Sequence, residues 1–171
     1  MSSVRVSQSR IENAGLGLFA TRDFKKNEKV SRFFMEDLID RDEAIKRRAL
    51  GLDTHIVTIE AQHLYADGLK APLDGEDLAS FANHSDFKIE QNTNLKIFWN
   101  RKLCRYEPFL VANRAIQAGE ELCTSYGKDY WDVERPCTGL LKRKACESDG
   151  GLIITIDLKL LKRNHFYIEY D

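Results

Sequence analysis

The chain has 171 residues, of which 43% are hydrophobic and 31% charged, an ordinary composition for one globular domain. Its 26 lysines and arginines balance 27 aspartates and glutamates for a net charge of −1, which argues against nucleic acid as a direct partner. No apolar run reaches the about 20 residues that span a bilayer, and the N-terminus lacks a signal peptide's apolar segment. We therefore expect an intracellular, single-domain protein over residues 1–171 with no membrane contact.

Short strands dominate the first third of the chain. Alternating or β-branched apolar residues, separated by glycine and polar turns, predict strands over residues 4–6, 18–20, 29–34 and 54–60. Leu38, Ile45 and Ala49 recur at near-helical spacing among charged residues, and Gly51 follows as a C-cap. Residues 36–50 therefore predict a surface helix inserted between two strands.

The rest of the chain continues in the same way. Asp74 is a candidate N-cap for a short helical turn that runs through Ala82. A further helix is predicted to begin in residues 128–133 and to end at Pro136. Further strands are predicted over residues 95–99, 109–112 and 122–125. The fold is thus predicted to be mainly β with short helices.

The cysteine and histidine spacings argue against a metal site. The four cysteines show no CxxC or CxC spacing, and the four histidines form no pair spaced like metal ligands on a helix. Four cysteines without a secretory signal are more typical of reduced thiols than of a disulfide framework. We therefore predict that the protein contains no metal.

Residues 15–20 (GLGLFA) fit the dinucleotide-binding pattern GxGxxA. That motif requires a helix that begins at the glycines, and residues 21–27 carry no helical stripe, so we set a dinucleotide site aside. Two interpretations stay open. The segment is either a plain tight turn, in which glycine supplies a positive φ, or a turn whose bare backbone lets a cofactor approach closely.

Two other polar segments each allow a structural or a functional interpretation. Asn83-His84-Ser85 follows the predicted helical turn and is either a polar loop or a clamp on a cofactor, since an asparagine amide both donates and accepts hydrogen bonds. Tyr126 follows a predicted strand, and Tyr65 lies in residues 64–68 (LYADG); a tyrosine in such a place most often fills a core or its rim.

Taken together, these segments resemble the motifs of the SET domain, the fold of lysine methyltransferases. Residues 15–20 match its GxGL(F/V)A turn, residues 81–85 (FANHS) its NHS motif, and residues 118–127 (AGEELCTSYG) its GEE(L/I)xxxYG motif. They occur in family order within a core of residues 4–131. Residues 126–131 (YGKDYW) are close to the same run in the small SET proteins of large DNA viruses. The resemblance implies short curved sheets with a pseudoknot-like crossing of the NHS and YG segments.

The resemblance also implies S-adenosyl-L-methionine as the methyl donor and S-adenosyl-L-homocysteine as its product. Tyr126 corresponds to the catalytic tyrosine, and Tyr65 is a second catalytic candidate. Tyr130 and Thr124 are expected to line the substrate channel, where the small Thr124 leaves room for more than one methyl group. The residues implied in cofactor binding are Gly15, Leu16, Gly17, Leu18, Asn83, His84 and Trp131.

Two departures from the family pattern are visible. The family has a Pro-Asn pair soon after its NHS motif, whereas a longer loop without proline follows Ser85 here, and Asn94 is the best match for that asparagine. The family's C-terminal zinc-binding cysteine cluster is also missing. Residues 132–171 are therefore expected to form a lid without zinc, for which a homodimer could supply support.

The implied partner is a protein or peptide that presents a lysine, foremost a histone H3 tail, which would place the protein in the nucleus. Two alternatives stay open: a lysine on a non-histone protein, and a catalytically silent SET-like module that only binds peptides. The chemistry needs no metal, because a neutral amine attacks a sulfonium methyl in line. An apolar channel that lowers the lysine pKa and oxygens that orient the amine suffice.

Overall fold

The computed structural model describes residues 2–85 and 90–127, and the backbone alone of residues 145–148 and 151–154. The α-helix in these ranges is α1 (Arg41–Ala49), and short 3-10 turns lie at Glu60–Gln62 and Ala79–Phe81. The strands in these ranges are β1 (Val4–Gln8), β2 (Leu16–Ala20), β3 (Lys29–Arg32), β4 (Leu38–Ile39), β5 (Ile56–Ile59), β6 (Leu64–Asp67), β7 (Asn83–His84), β8 (Thr93–Asn100), β9 (Arg105–Ala112), β10 (Glu121–Thr124), β11 (Ala145–Ser148) and β12 (Gly151–Ile154).

The strands form several small sheets rather than one continuous sheet. The orders are β1-β2-β10-β7, β3-β9-β8 and β4-β6-β5, and β11 pairs with β12 in a separate hairpin. β10 is antiparallel to β2 but parallel to β7, so a late strand lies between two earlier ones. This arrangement confirms the predicted β-rich fold with its crossing of the segments around residues 83 and 126.

The core lies where the sheets meet. All five residues of β2 are buried, because β1 and β10 pair with its two edges and other elements cover its faces. Leu18 and Leu122 of the β1-β2-β10-β7 sheet, Leu110 of β9 and Ile59 of β5 are each at most 1% exposed, so all three of these sheets contribute to the core. Burying such a side chain stabilises the fold by about 1.5–3 kcal/mol, so apolar packing joins sheets that are not paired in one continuous ladder.

The helix predicted over residues 36–50 is shorter in the structure. Leu38 belongs to β4, where it pairs with Ala66 of β6, and Asp40 has an extended backbone (φ −81°, ψ 179°) that prevents an earlier start. The Asp40 carboxylate accepts a hydrogen bond from the Glu43 N–H at 2.9 Å, which makes it the N-cap. Gly51 has a φ of 69° and ends the helix as predicted.

The helical turn predicted from Asp74 to Ala82 was largely wrong. Helical structure is limited to the 3-10 turn at Ala79–Phe81, and Gly75, with a φ of 103°, interrupts any helix that Asp74 could cap. The next residues also differ from the prediction. Asn83-His84 is the strand β7 rather than a loop that ends a helix.

Among the described residues, no helix is long and apolar enough to cross a membrane. The same part of the chain holds no cluster of three or more histidine, cysteine, aspartate or glutamate side chains placed to bind a metal ion. The predicted helix after residue 128 lies outside the described residues, as do most of residues 132–171 and the Tyr130 and Trp131 positions.

Candidate active site

β10 places the NHS segment and the YG segment side by side. Its parallel pairing with β7 puts Cys123 beside Asn83 and Thr124 beside His84. Two residues beyond this pairing, Tyr126 therefore reaches the same corner as the residues of β7. The structure thus brings together two motifs that are far apart in the chain.

Tyr126 is held at both its backbone and its hydroxyl. Its N–H donates to Nδ1 of His84 at 3.1 Å, and its hydroxyl donates to the carbonyl of Ala82 at 3.0 Å. The two rings are tilted, with centroids 5.4 Å apart. Because a backbone N–H only donates, Nδ1 of His84 must be the acceptor, and the neutral imidazole carries its proton on Nε2. These bonds fix the direction of the tyrosine ring.

The glycine turn packs directly against the amide of Asn83. Nδ2 of Asn83 donates to the carbonyl of Leu16 at 3.0 Å and to Oε1 of Glu121 at 3.3 Å. A Cβ atom on Gly17 would meet that carboxylate oxygen at 2.4 Å and Nδ2 of Asn83 at 3.2 Å. Gly17 is therefore required by the close approach of these two side chains, and Gly15 by its φ of 78°.

Asn92 bonds to the backbone of β10 at the crossing. Its side chain accepts from the Cys123 N–H at 2.9 Å and donates to the Glu121 carbonyl at 2.8 Å, so it imitates a strand partner for β10. It is 1% exposed, whereas Asn94 is exposed on β8. The sequence match to Asn94 was wrong in position, because the asparagine that contacts the crossing comes just before β8 begins.

Tyr126 faces two adjoining spaces. One is an open groove of about 510 Å³ lined by α1, β5, Tyr65 and Leu95, and the other is a narrower, mostly apolar cavity of about 100 Å³. Four residues line both spaces: Ile56, Val57, Leu95 and Tyr126. An extended chain lying in the groove could therefore pass a single side chain into the cavity beside the tyrosine hydroxyl.

The cavity contains one polar group that the fold leaves unsatisfied. The hydroxyl of Thr124 is buried and has no hydrogen-bond partner among the described residues, and the residue lines the cavity with Tyr126. A buried hydroxyl without a partner costs free energy, so it marks a place where a water or a ligand group would bind favourably. Thr124 and Tyr126 thus line the same cavity.

The neighbouring thiol is chemically inert. Burial, reinforced by the negative charges of Glu121 and Glu90, raises the pKa of Cys123 to about 12. Its thiolate is the nucleophilic form, and almost none is present near neutral pH. Cys123 therefore contributes to this corner through its backbone and its packing rather than through sulfur chemistry.

The helix side of the groove is held by ion pairs. Arg47 of α1 pairs with the fully buried carboxylate of Asp67 and also contacts Glu43 at 2.9 Å and Asp37 at 3.4 Å. Ala44 is the buried residue of this helix, so apolar packing alone fastens it weakly. Asp67 lies on β6, which the sequence did not predict as a strand. The ion pair between Arg47 and Asp67 that holds α1 was therefore not predicted from the sequence.

A larger cleft of about 830 Å³ lies elsewhere, around β3 and residues 74–77. It shares no lining residue with the Tyr126 groove or cavity. Ion pairs already occupy its polar groups, among them Arg32 with Asp77 at 2.6 Å and with Glu107 at 3.1 Å. We therefore place the candidate active site at Tyr126, where an unsatisfied hydroxyl and two adjoining spaces meet.

A family model described as the SET domain matches residues 15–127. The chain therefore belongs to the SET domain family, a family of protein-lysine methyltransferases. The match covers the glycine turn, β7 and β10 in one span, which agrees with the motifs found in the sequence. A sequence search of curated proteins finds no match to the chain.

Solved structures of Polycomb Repressive Complex 2 from Chaetomium thermophilum contain a similar fold. A humanized mutant bound to an inhibitor is 26% identical with a TM-score of 0.60, over 79% of this chain and 16% of that chain. The complex with forms of histone H3 is 25% identical with a TM-score of 0.59, over 75% of this chain and 15% of that one.

A third structure, of the same complex bound to S-adenosylmethionine, is 24% identical with a TM-score of 0.58, over 77% of this chain and 16% of that chain, and shows likeness of fold alone. The chain thus spans about a sixth of the length of the solved chains that it matches.

Proposed function

We propose that this chain is an S-adenosylmethionine-dependent protein-lysine N-methyltransferase. The observation that carries the proposal is that Tyr126 lines both the open groove and the apolar cavity, with its hydroxyl bonded to the carbonyl of Ala82. The groove suits an extended peptide, and the cavity suits one long aliphatic side chain that ends in an amine.

The site's residues favour a neutral, oriented amine. The apolar side chains of Ile56, Val57 and Leu95 disfavour an ammonium ion, which lowers the pKa of an entering lysine. The proton of the Tyr126 hydroxyl is directed to the Ala82 carbonyl, so the oxygen lone pairs can accept a hydrogen bond from the amine. Such positioning along one line supplies much of the rate of a displacement reaction.

The glycine turn at residues 15–17 and the adjacent Asn83 suit the amino-acid part of the cofactor. Nδ2 of Asn83 is used within the protein, whereas its Oδ1 accepts no hydrogen bond from any described residue and can accept one from the cofactor's ammonium group. Leu18 is fully buried and paired on both sides, so direct contact falls to Gly15, Leu16 and Gly17. When bound, S-adenosylmethionine supplies an electrophilic methyl group on sulfonium.

Thr124 bears on how many methyl groups are added. It is small, and its unsatisfied hydroxyl can hold a water in the cavity that a growing methylamine displaces. We therefore expect more than one methyl group on the product. Mass spectrometry of product peptides that shows only the monomethyl form would contradict this expectation.

Two substrate classes are candidates for this activity. A histone H3 tail is the first, supported by the resemblance and by the structure of a similar protein in complex with histone H3; it would imply a nuclear location. A lysine on a non-histone protein is the second, and the charges that line the groove favour it. Oligomeric state is independent of this choice, and a homodimer is proposed only as support for the C-terminal lid.

The test combines labelled cofactor with histones and, separately, with a cell lysate. Tyr126→Phe should reduce methyl transfer by about a hundredfold or more, while circular dichroism and cofactor affinity stay unchanged. Tyr106→Phe, a tyrosine that lines neither the groove nor the cavity, is the matched control and should keep full activity. Calorimetry with the cofactor separates a methyltransferase from a silent peptide-binding module, since absence of binding excludes the former.

A further inference from the structure

One face of α1 forms a wall of the groove that contains Tyr126. Arg41, Ala44, Ile45 and Arg48 all line it, at the i, i+3, i+4 and i+7 positions that share one side of a helix. Ile45 is 55% exposed, so its apolar side chain is available for contact from the groove. The wall therefore presents an apolar contact between two arginines.

The charge along this wall is not balanced. The charged side chains that line the groove in the described ranges are Arg41, Arg48 and Asp53. Asp53 is 4% exposed in its side chain and pairs with Nε of Arg48 at 3.2 Å, so its charge is already engaged. Arg41 is exposed and makes no ion pair or hydrogen bond with a described residue. A guanidinium thus faces the groove with its donors available.

The wall is also fixed in place. Arg47, which does not line the groove, pairs with the buried Asp67, and Asp40 caps the start of the helix. A substrate therefore meets a preorganised row of groups and does not have to order the helix first, which reduces the free-energy cost of recognition. Arginine suits this role because its planar guanidinium binds carboxylates through two parallel hydrogen bonds.

From this arrangement we infer that the groove selects a peptide in which an acidic residue lies beside the methylated lysine, with an apolar residue against Ile45. The inference rests on the proposed function, since it assigns the substrate class of the same groove. A strongly basic segment, such as a histone tail, would be repelled by the charge of Arg41, which pairs with no described residue, and is the poorer substrate. Arg41 is thus a specificity-determining residue.

The test uses three peptides that differ only in one residue next to a central lysine, which is glutamate, glutamine or lysine. Dissociation constants are measured by fluorescence anisotropy with S-adenosyl-L-homocysteine present, and KM and kcat are measured separately. Exposed ion pairs contribute about 0.2–1 kcal/mol, so each step from glutamate to glutamine to lysine should weaken binding by about 1.4-fold to fivefold. The differences in affinity among the three peptides should shrink in high salt, while kcat stays the same for all three.

Arg41→Glu should reverse the order of the three peptides. Arg101→Glu, at an exposed position that does not line the groove, makes the same charge change and should leave the order intact. Equal affinities for the three peptides in the unmodified protein, or an order that survives Arg41→Glu, would overturn the inference. Because binding is measured without turnover, a protein that shows the order but transfers no methyl group refutes the proposed function alone.

Discussion

Replacing Asn92 by alanine should lower the free energy of unfolding, because Asn92 supports the crossing of the segments around residues 83 and 126. The side chain is buried and pairs with two backbone groups of β10, the N–H of Cys123 and the carbonyl of Glu121. Alanine would leave both groups without a partner in a place that water reaches poorly. Each buried group that loses its partner costs about 1–3 kcal/mol, so the free energy of unfolding should fall by about 2–6 kcal/mol.

This loss is a large fraction of the total free energy of unfolding. A domain of this size has about 5–15 kcal/mol of stability. With a urea dependence of about 1–3 kcal/mol per molar, a loss of about 3 kcal/mol lowers the unfolding midpoint by about 1–3 M. Urea unfolding followed by circular dichroism measures the shift directly.

Two further variants separate this account from a general effect of losing a polar residue. Asn94→Ala, on the exposed face of β8, should change the free energy of unfolding by less than about 0.5 kcal/mol, as surface substitutions usually do. Asn92→Asp keeps the acceptor for the Cys123 N–H but turns an oxygen toward the Glu121 carbonyl, so its deficit should shrink as pH falls and the introduced carboxyl is protonated. Equal midpoints for Asn92→Ala and Asn94→Ala would refute the reasoning.

Three other predictions follow from buried or engaged groups. Burial raises the pKa of Glu107, but hydrogen bonds from an asparagine and two arginines outweigh it and hold the pKa below 4.5. The ionised carboxylate therefore contributes stability above about pH 4.5, and this contribution is lost as pH falls through the folded-state pKa. Urea midpoints of Glu107→Gln and the unmodified protein should differ most at pH 7 and converge toward pH 3. Iodoacetamide followed by peptide mapping should modify exposed Cys104 well before buried Cys123, and equal rates would refute the packing described. Arg47→Met strips a buried carboxylate of its cation and should cost about 3–5 kcal/mol in the same unfolding assay, whereas an unchanged midpoint would show that α1 is held by other contacts.

The strands were predictable because their patterns are local. β5 and β9 alternate or concentrate β-branched and apolar residues between turn residues, and both were predicted to within a few residues. β6 was missed because Asp67 and Gly68 made the segment look like a loop. Asp67 is tolerated at the end of a buried strand only because Arg47, twenty positions earlier, neutralises it. No local pattern carries that information.

The candidate site was predictable in part and for a different reason. Asn83, His84 and Tyr126 were found from motif resemblance, and the structure brings them together through β7 and β10. The groove wall on α1 was not found, since Arg41 and Arg48 look like ordinary surface charges on a polar helix. Their orientation depends on how α1 docks on β6, which the sequence pattern does not reveal.

The choice of side chains at the crossing has a common physical cause. β10 changes partner in the middle of its length, from β2 at Leu122 to β7 at Cys123, and such a change leaves backbone groups unpaired. Asn92 pairs those of β10, Asn83 pairs the carbonyl of Leu16, and His84 pairs the N–H of Tyr126. Each side chain has more hydrogen-bonding groups than this task requires. The proposed chemistry relies on the groups that remain after the crossing is satisfied. Tyr126→Phe leaves the pairing of β7 with β10 and the bond from the Tyr126 N–H to His84 in place and removes the hydroxyl, so it is the change that bears most directly on the proposed function.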